Sequence, residues 1–262
     1  MKLKTNGIEL YFERTGKGEP IVFSGAWLDD LSIWEAQVKH FSKKHSVVTY
    51  DQRGHGKSDK AKTGQGNYSV QALANDLNAL IQKLNVKKPV VVGFSWGGMV
   101  ALRFAIEHPS EVSKLVLVGT CARMKPPTAA KFLKVIGRLI PKKTFYRMLG
   151  RYRFYKPSEQ VANAWLERAL KVDKAVAFES WSEWAENCDL RDQVSKIQVP
   201  TLIIVGEKDE LFLETCRYLN ENIKGSQLKI VLGSGHTVSV EKPQEFSQIL
   251  EEFLAASVSR DQ

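Results

Sequence analysis

The chain has 262 residues, of which 43% are hydrophobic and 26% are charged, and its formal net charge is +9. These fractions are typical of a soluble globular protein, and there is no internal repeat, low-complexity tract or apolar run long enough to span a bilayer. The length suits one α/β domain that carries an insertion. The first residues lack the apolar core of a secretory signal, so we expect a cytoplasmic protein without a transmembrane segment.

The three cysteines are Cys121, Cys188 and Cys216, which are widely spaced and form no CxxC pair. An odd number with this spacing indicates neither a disulfide framework nor a zinc site. We therefore expect buried or incidental thiols, and the sequence indicates no metal and no cofactor.

The predicted elements begin with a hairpin, in which residues 3–5 and 8–14 flank an Asn6-Gly7 turn. Short apolar runs typical of buried strands follow. They cover residues 20–23, 46–50, 90–94, 114–118, 201–205 and 228–231, and amphipathic helical patterns lie at 70–84, 96–108 and 244–255. This alternation predicts an α/β fold with a mostly parallel sheet and helices on both faces.

One interval breaks the alternation. Between Gly119 and Thr201 the sequence has helical periodicity and no convincing strand. An insertion at this point of a parallel sheet would lie over the carboxyl ends of the strands, where such folds bind ligands. We therefore predict a helical cap at 122–196 on a core formed by 1–121 and 197–262.

The net charge is concentrated in this cap. Residues 122–158 contain eleven of the 38 Lys and Arg residues of the chain and no Asp or Glu, so the rest of the chain is nearly neutral. The charge is explained either by a solvated helix face or by an anionic substrate, an acidic acyl carrier protein or anionic lipid as partner. The candidate partner-binding residues are Arg147, Arg151 and Arg153. No nucleic-acid recognition module is present, so we expect no nucleic-acid partner.

The motif Gly93-Phe94-Ser95-Trp96-Gly97 directly follows a predicted strand and leads into a predicted helix. A nucleophilic serine on such a sharp turn adopts a strained backbone, and small neighbours let the strand and the helix approach each other. The helix start also aims amide groups and the positive end of its dipole at developing negative charge. The alternative is a glycine-rich turn with an incidental serine.

A serine hydroxyl becomes a good nucleophile when a base takes its proton and an acid orients that base. Asp209 follows the predicted strand 201–205 through a polar turn, and His236 follows the strand 228–231 through a glycine-rich turn. Both residues thus lie past the carboxyl ends of strands, at the same edge as Ser95. Among other candidates, His55 competes as the base, and Glu207 and Glu210 compete as the acid.

These residues give the chain a resemblance to the α/β-hydrolase superfamily over essentially its whole length. It is carried by Ser24-Gly25-Ala26-Trp27 with Trp34, Asp51 to Ser58, the turn at Ser95, Gly206 to Asp209 and Gly235-His236. The resemblance implies a serine hydrolase that cleaves a carboxylic ester through an acyl-enzyme, with Ser95 as nucleophile, His236 as base and Asp209 as acid. It also implies a structural role for His55. A serine nucleophile argues against haloalkane dehalogenases and epoxide hydrolases, whose nucleophile is an aspartate.

By the same resemblance, the backbone amides of Ala26 and Trp96 form the oxyanion hole. Many relatives have His-Gly where this chain has Ser24-Gly25, so the hydrogen bonds around this loop should differ. Aromatic residues near the site and in the cap predict an apolar pocket for a small or medium ester. The candidates for its walls are Trp27, Phe94, Phe132 and Phe145.

Several functions remain open at this point. Esterases that cleave the methyl ester of pimeloyl-carrier protein resemble the chain in size and layout and use basic cap residues to bind their partner. Enol-lactonase, carbon-carbon bond hydrolase and cofactor-free haloperoxidase activities are alternatives within the superfamily. A hydrolase-like receptor, which keeps the triad but works by cap closure, is an alternative of a different class.

Overall fold

The sheet at the centre of the protein has eight strands in the computed structural model, which describes residues 1–124 and 136–256 except for the side chains of 151–153. The strands are β1 (Lys2–Thr5), β2 (Ile8–Thr15), β3 (Pro20–Ser24), β4 (Ser46–Tyr50), β5 (Val90–Phe94), β6 (Lys114–Val118), β7 (Thr201–Gly206) and β8 (Gln227–Val231). Their spatial order is β1-β2-β4-β3-β5-β6-β7-β8. β1 and β2 pair antiparallel, β2 is antiparallel to β4, and the strands from β4 to β8 run parallel. The predicted α/β class and mostly parallel sheet are confirmed.

The local sequence explains both ends of this sheet. Asn6 and Gly7 have φ values of 44° and 79°, which is the left-handed pair that a tight hairpin turn needs. At the other edge, β8 differs from the fully buried strand that we expect from its apolar run. Gln227 and Lys229 are exposed on it and alternate with partly buried residues, because an edge strand packs on one face only.

Nine helices are named in the described part of the chain. They are α1 (Glu35–Phe41), α2 (Val70–Lys83), α3 (Trp96–Glu107), α4 (Lys142–Arg153), α5 (Glu159–Lys171), α6 (Lys174–Glu186), α7 (Leu213–Asn222), α8 (Val238–Glu241) and α9 (Pro243–Ala255). Ser69 caps α2 by accepting a hydrogen bond from the Ala72 amide, and α3 ends just before Pro109. None of these helices combines the length and the apolar character that a bilayer span needs.

Two apolar clusters cover the two faces of the sheet. On one face, strand residues such as Val91 and Ile203 pack with α2, α3 and α7, and this cluster continues into the cap. On the other face, Val92 and Ile204 pack with α1, α8 and α9. Helices therefore cover both faces, as the sequence predicts. The three cysteines are free and buried, and burial raises the pKa of Cys188 to about 11 and that of Cys216 to about 12.

The described part of the cap, for which we keep the predicted bounds 122–196, consists of α4, α5, α6 and a 3-10 helix at Arg191–Lys196. Its two ends meet in an antiparallel bridge between Arg123 and Asp189, whose side chains also form a salt bridge of 3.2 Å. Phe145 stacks on Phe178 with ring centroids 5.2 Å apart. The cap thus has aromatic packing of its own, and its apolar residues are continuous with the core cluster on one face of the sheet.

Candidate active site

Ser95 lies on the turn between β5 and α3, with φ 54° and ψ −117°. A non-glycine residue in this conformation is strained, and such strain persists where the surroundings impose it. The Ser95 amide donates to the Val118 carbonyl at 2.8 Å, and Thr120 Oγ1 donates to the Ser95 carbonyl at 2.7 Å. A Cβ on Gly93 would lie 2.4 Å from the Gly97 carbonyl oxygen, so a side chain there would not fit. The predicted strained turn is present, and its glycines allow it to close.

Three predicted site residues meet at this turn. His236 Nε2 lies 3.0 Å from Ser95 Oγ, and His236 Nδ1 lies 2.7 Å from Asp209 Oδ2. The side chains of His236 and Asp209 are 10% and 4% exposed. Because the carboxylate accepts the Nδ1 hydrogen, Nε2 carries the lone pair and can accept the serine proton. The arrangement can therefore activate Ser95 as a nucleophile.

Two aromatic rings hold the imidazole of His236. Phe212 stacks on it with centroids 4.6 Å apart, and Phe94 lies 4.9 Å from it at a tilt of 46°. Phe94 is fully buried and also packs on Trp34, on the sheet face opposite the cap. The alternation of side chains along β5 thus places the Phe94 ring against the imidazole, and its role as a pocket wall stays a prediction.

The histidine loop is held by a carboxylate that the sequence analysis missed. Glu241 accepts hydrogen bonds from the amides of Gly235 at 2.7 Å and Thr237 at 3.1 Å, the two residues that flank His236. Backbone amides in a glycine-rich turn need acceptors when they are buried. A glutamate five residues after the candidate base was the available signal.

Gly119 leaves the space in which the base and the acid meet. Its φ is +47°, and a Cβ added to it would lie 3.2 Å from His236 Nδ1 and 3.3 Å from Asp209 Oδ2. Any side chain at this position would press on the hydrogen bond between the two residues. A glycine that acts by leaving space gives no signal in the sequence, so Gly119 is a further site residue that sequence reasoning missed.

The loop that bears Ala26 packs directly on the start of α3. A Cβ on Gly97 would lie 2.3 Å from the Gly25 carbonyl oxygen, so the two backbones are as close as glycine permits. Ala26 and Trp96 are the chain neighbours of these two glycines, so the close contact holds their backbones near each other. Trp96 is the first residue of α3, and the first amides of a helix have no acceptor within it.

Side chains from β3, β4 and the loop after β4 support the Ala26 loop. The hydroxyls of Ser24 and Tyr50 are 2.9 Å apart, and Gln52 Nε2 donates to the Gly25 carbonyl at 2.9 Å. Gln52 Nε2 also donates to Ser24 Oγ at 3.2 Å. Gln52 is thus a second supporting residue that sequence reasoning missed.

Trp27 lies where this loop meets the cap. Its indole N–H donates to Ser180 Oγ at 2.9 Å, and its ring packs edge to face on Trp181 and Trp184 of α6 at centroid distances of 5.0 and 6.3 Å. The three indoles form an aromatic cluster next to the predicted oxyanion loop. Trp27 thus lies at the core–cap boundary, and its role as a pocket wall stays a prediction.

The rival acid and base candidates lie elsewhere. His55 is buried, its Nδ1 lies 3.0 Å from the Arg53 carbonyl, and its ring packs on Trp96. Burial lowers the pKa of His55 to about 4, so its ring is neutral at physiological pH. Glu207 accepts a hydrogen bond from the Gly233 amide, which lowers its pKa, and Glu210 is exposed.

The remaining predicted residues fall in the cap. Phe145 is buried in the cap and packs among Tyr146, Phe178 and Gly137, and its role as a pocket wall stays a prediction. Arg147 is exposed on α4. Phe132 and the side chains of Arg151 and Arg153 lie outside the described residues. In the described ranges, no group of three or more His, Cys, Asp or Glu side chains could hold a metal ion.

Comparison with known proteins extends these observations to the whole chain. A family model described as the alpha/beta hydrolase fold matches residues 19–243. The 3-oxoadipate enol-lactonase 2 of Acinetobacter baylyi is 28% identical over 236 residues, which cover 88% of this chain and 86% of the lactonase. The similarity therefore extends well beyond the motif around Ser95.

Two solved structures have the same fold along nearly the full length. An esterase from Exiguobacterium antarcticum has a TM-score of 0.89 at 27% identity, covering 96% of this chain and 97% of the esterase. An enol-lactonase from Burkholderia xenovorans LB400 has a TM-score of 0.90 at 26% identity, covering 98% of this chain and 100% of the lactonase. The core and the cap are both included in these matches.

Proposed function

The chain belongs to the α/β-hydrolase family, and on this premise we propose that it is a serine hydrolase that cleaves a carboxylic ester through an acyl-enzyme intermediate. The observation that carries the proposal is the continuous hydrogen-bonded series from Asp209 through His236 to Ser95. Similarity to an esterase and to enol-lactonases supports the same class of reaction, because a lactone is a cyclic ester.

In the first half of the reaction, Ser95 Oγ attacks the ester carbonyl while His236 Nε2 takes the hydroxyl proton. Asp209 keeps the imidazole in the tautomer with Nδ1 protonated and stabilises the imidazolium that forms. The carbonyl oxygen becomes an oxyanion, which the amides of Ala26 and Trp96 stabilise. His236 then gives its proton to the leaving alcohol, and the acyl group stays on Ser95.

In the second half, water replaces the alcohol. His236 Nε2 takes a proton from the water as its oxygen attacks the acyl carbon, and the same two amides stabilise the second oxyanion. When this intermediate collapses, the proton returns to Ser95 Oγ and the carboxylic acid leaves. The rings of Phe212 and Phe94 support both halves, because they keep the imidazole in one orientation while its charge changes.

We propose a substrate with an apolar portion of small or medium size. The cluster of Trp27, Trp181 and Trp184 lies beside the loop that carries Ala26 and offers aromatic surface for such a group. An enol-lactone is the second candidate substrate, supported by the enol-lactonases of Acinetobacter baylyi and Burkholderia xenovorans among the similar proteins.

Hydrolysis of p-nitrophenyl esters with acyl chains of increasing length tests the proposal. We expect turnover to be highest for short chains and to fall at least about a thousandfold in Ser95→Ala. Ser113→Ala is the matched control, because Ser113 lies before β6 at the opposite end of the sheet and should retain full activity. Equal activity of the Ser95→Ala variant and the wild type would overturn the mechanism.

A serine-directed fluorophosphonate separates the remaining alternatives. An enzyme of the proposed class gains the mass of the phosphonyl group on Ser95, as detected by mass spectrometry of the digested protein. A receptor that uses the cap alone binds esters without turning them over. Comparison of kcat/KM for an enol-lactone and for its linear ester then decides between lactonase and esterase activity.

A further inference from the structure

The loop that carries Ala26 contains a strained turn. The Asp29 amide donates to the Ala26 carbonyl at 3.3 Å and closes the turn, and Leu28 within it has a φ of +64°. This is the left-handed region, which a leucine adopts at a cost in free energy and only where its surroundings hold it there. Leu28 is fully buried. Contacts with other residues must therefore hold Leu28 and the turn in this conformation.

Two cap helices bind the residues on either side of Leu28. On one side, the Trp27 indole donates to Ser180 of α6, and Ser180 in turn donates to the Val176 carbonyl at 2.7 Å. On the other side, Arg168 Nε of α5 donates to Asp29 Oδ1 at 2.9 Å. The cap thus contacts both flanks of the strained residue.

The contact between Arg168 and Asp29 is shielded from water. Their side chains are 14% and 0% exposed, so the ion pair is stronger than a surface pair, and loss of Arg168 would leave a buried carboxylate without this partner. The adjacent pair of Lys171 and Asp30 is 3.3 Å long and its side chains are 58% and 13% exposed. Because the Lys171 side chain of this pair is largely exposed, water weakens the attraction, and the pair provides an internal control on the same helix and the same loop.

We propose that Arg168 is a positioning residue for the oxyanion hole: through Asp29 it holds the turn that presents the Ala26 amide. The cap therefore completes the catalytic site in addition to covering it. A displacement of α5 that broke this ion pair would let Leu28 relax and move the Ala26 amide. This inference rests on the proposed function, because it concerns the stabilisation of the oxyanion in ester hydrolysis.

The first test compares Arg168→Met with Lys171→Met on the best p-nitrophenyl ester. Loss of one oxyanion donor costs on the order of a hundredfold or more in kcat, and a displaced donor should cost about tenfold or more. For Arg168→Met we expect this fall in kcat, with KM changed by less than about twofold. For Lys171→Met we expect both kcat and KM to change by less than about twofold. A trifluoromethyl ketone, whose adduct on Ser95 carries an oxyanion, should bind Arg168→Met more weakly by the same factor as kcat.

The second test uses Leu28→Gly, because glycine adopts a positive φ without strain. If Arg168 acts by holding the turn, the fall in kcat caused by Arg168→Met should be several-fold smaller in the Leu28→Gly background than in the wild type. If Arg168 only ties the cap to the core, the cost is the same in both backgrounds, and the proposal is overturned. Arg168→Lys, which retains the charge, should recover part of kcat without any change at Leu28.

Hydrogen exchange gives a readout that needs neither activity nor a glycine variant. In Arg168→Met, amides of residues 25–30 should exchange faster, while those of α5 and α6 stay as in the wild type. Faster exchange throughout both cap helices would show cap unfolding and overturn the positioning role. Absence of Ser95-dependent turnover in the wild type would overturn the proposed function, whereas exchange at residues 25–30 would still decide whether Arg168 holds the turn.

Discussion

The core and the cap hold their functional groups by different means. In the core, backbone geometry places the reacting atoms: Ser95 lies on a strained turn, and Glu241 holds the two amides that flank His236. The cap reaches the site through individual side-chain contacts, from Ser180 to Trp27 and from Arg168 to Asp29. Backbone placement is shared by many hydrogen bonds, whereas side-chain contacts can be lost one at a time. The geometry of Ser95 and His236 is therefore set in the core, whereas the contacts from the cap can be altered one by one.

The largest effect expected in the core is that of Asp209→Asn. The amide cannot hold the tautomer of His236 with Nδ1 protonated, and kcat should fall by about 10⁴-fold while the thermal unfolding temperature changes little. Steady-state kinetics on a p-nitrophenyl ester measure the change. Glu210 is an exposed acid one residue away, so Glu210→Gln is the matched control, and its kcat should stay within about twofold of the wild type. A large loss of kcat in Glu210→Gln with no loss in Asp209→Asn would show that Asp209 is not the acid that orients His236.

A second effect concerns the stability of the core as a function of pH. Burial lowers the pKa of His55 from 6.5 in the unfolded chain to about 4, so the unfolded state binds more protons between these values. The contribution of His55 to stability is thus complete above pH 6.5 and is lost as the pH falls towards 4. The unfolding free energy of the wild type minus that of His55→Asn should rise by up to about 3 kcal/mol from pH 4 to pH 6.5.

Asp51 acts in the opposite direction in the same pH range. Burial raises the pKa of its carboxyl from 3.8 to about 6, so the folded state binds more protons and stability falls as the pH rises through this window. Asp51 is present in both proteins, so its contribution cancels in the difference. Urea unfolding at several pH values measures the difference. A difference that is independent of pH would contradict the neutral, buried state of His55.

How far the sequence predicts this site depends on how local the signal is. Ser95 follows a recognisable strand directly, Asp209 and His236 follow theirs after short turns, and parallel strands bring their carboxyl ends to one edge. Glu241 and Gly119 were missed, because the former acts on backbone amides and the latter by leaving space. The spacing of Glu241 from His236 is the one signal in the sequence, and the space that Gly119 leaves has no residue pattern of its own.

The cap was harder to predict for a different physical reason. Its helical periodicity is visible in the sequence. An aromatic residue predicts that its side chain is buried, but it does not predict which other residues that side chain packs against. Phe94 and Phe145 are buried as expected of such rings, yet they pack behind the base and inside the cap. The ion pair of Arg168 with Asp29 joins residues 139 positions apart, and its identity depends on how the cap docks.

A third prediction tests whether the space that Gly119 leaves beside His236 is needed for activity. Gly119→Ala should reduce kcat about tenfold, because its Cβ would press on the contact between His236 and Asp209. It should also cost about 1–2 kcal/mol of stability, because its φ is positive. Gly225→Ala is the matched control: its φ is +72° and its Cβ would meet nothing within 4 Å. The control should lose stability alone, and an equal loss of kcat in both variants would contradict a contact effect.

The smallest effect is expected on the surface of the cap. Arg147 is exposed on α4, so Arg147→Ala should leave kcat/KM for a neutral ester within about twofold of the wild type. For an ester carried by an acidic protein, or one with its own negative charge, the same substitution should lower kcat/KM a few-fold at low salt, and the loss should vanish near 1 M salt. Lys224 is an exposed cation of the core, so Lys224→Ala is the control and should leave kcat/KM unchanged for both the neutral and the anionic ester. If Arg147→Ala lowered the rate for neutral and anionic esters alike, charge steering would be wrong, and the cap surface would have to act on the reaction itself, as the core does.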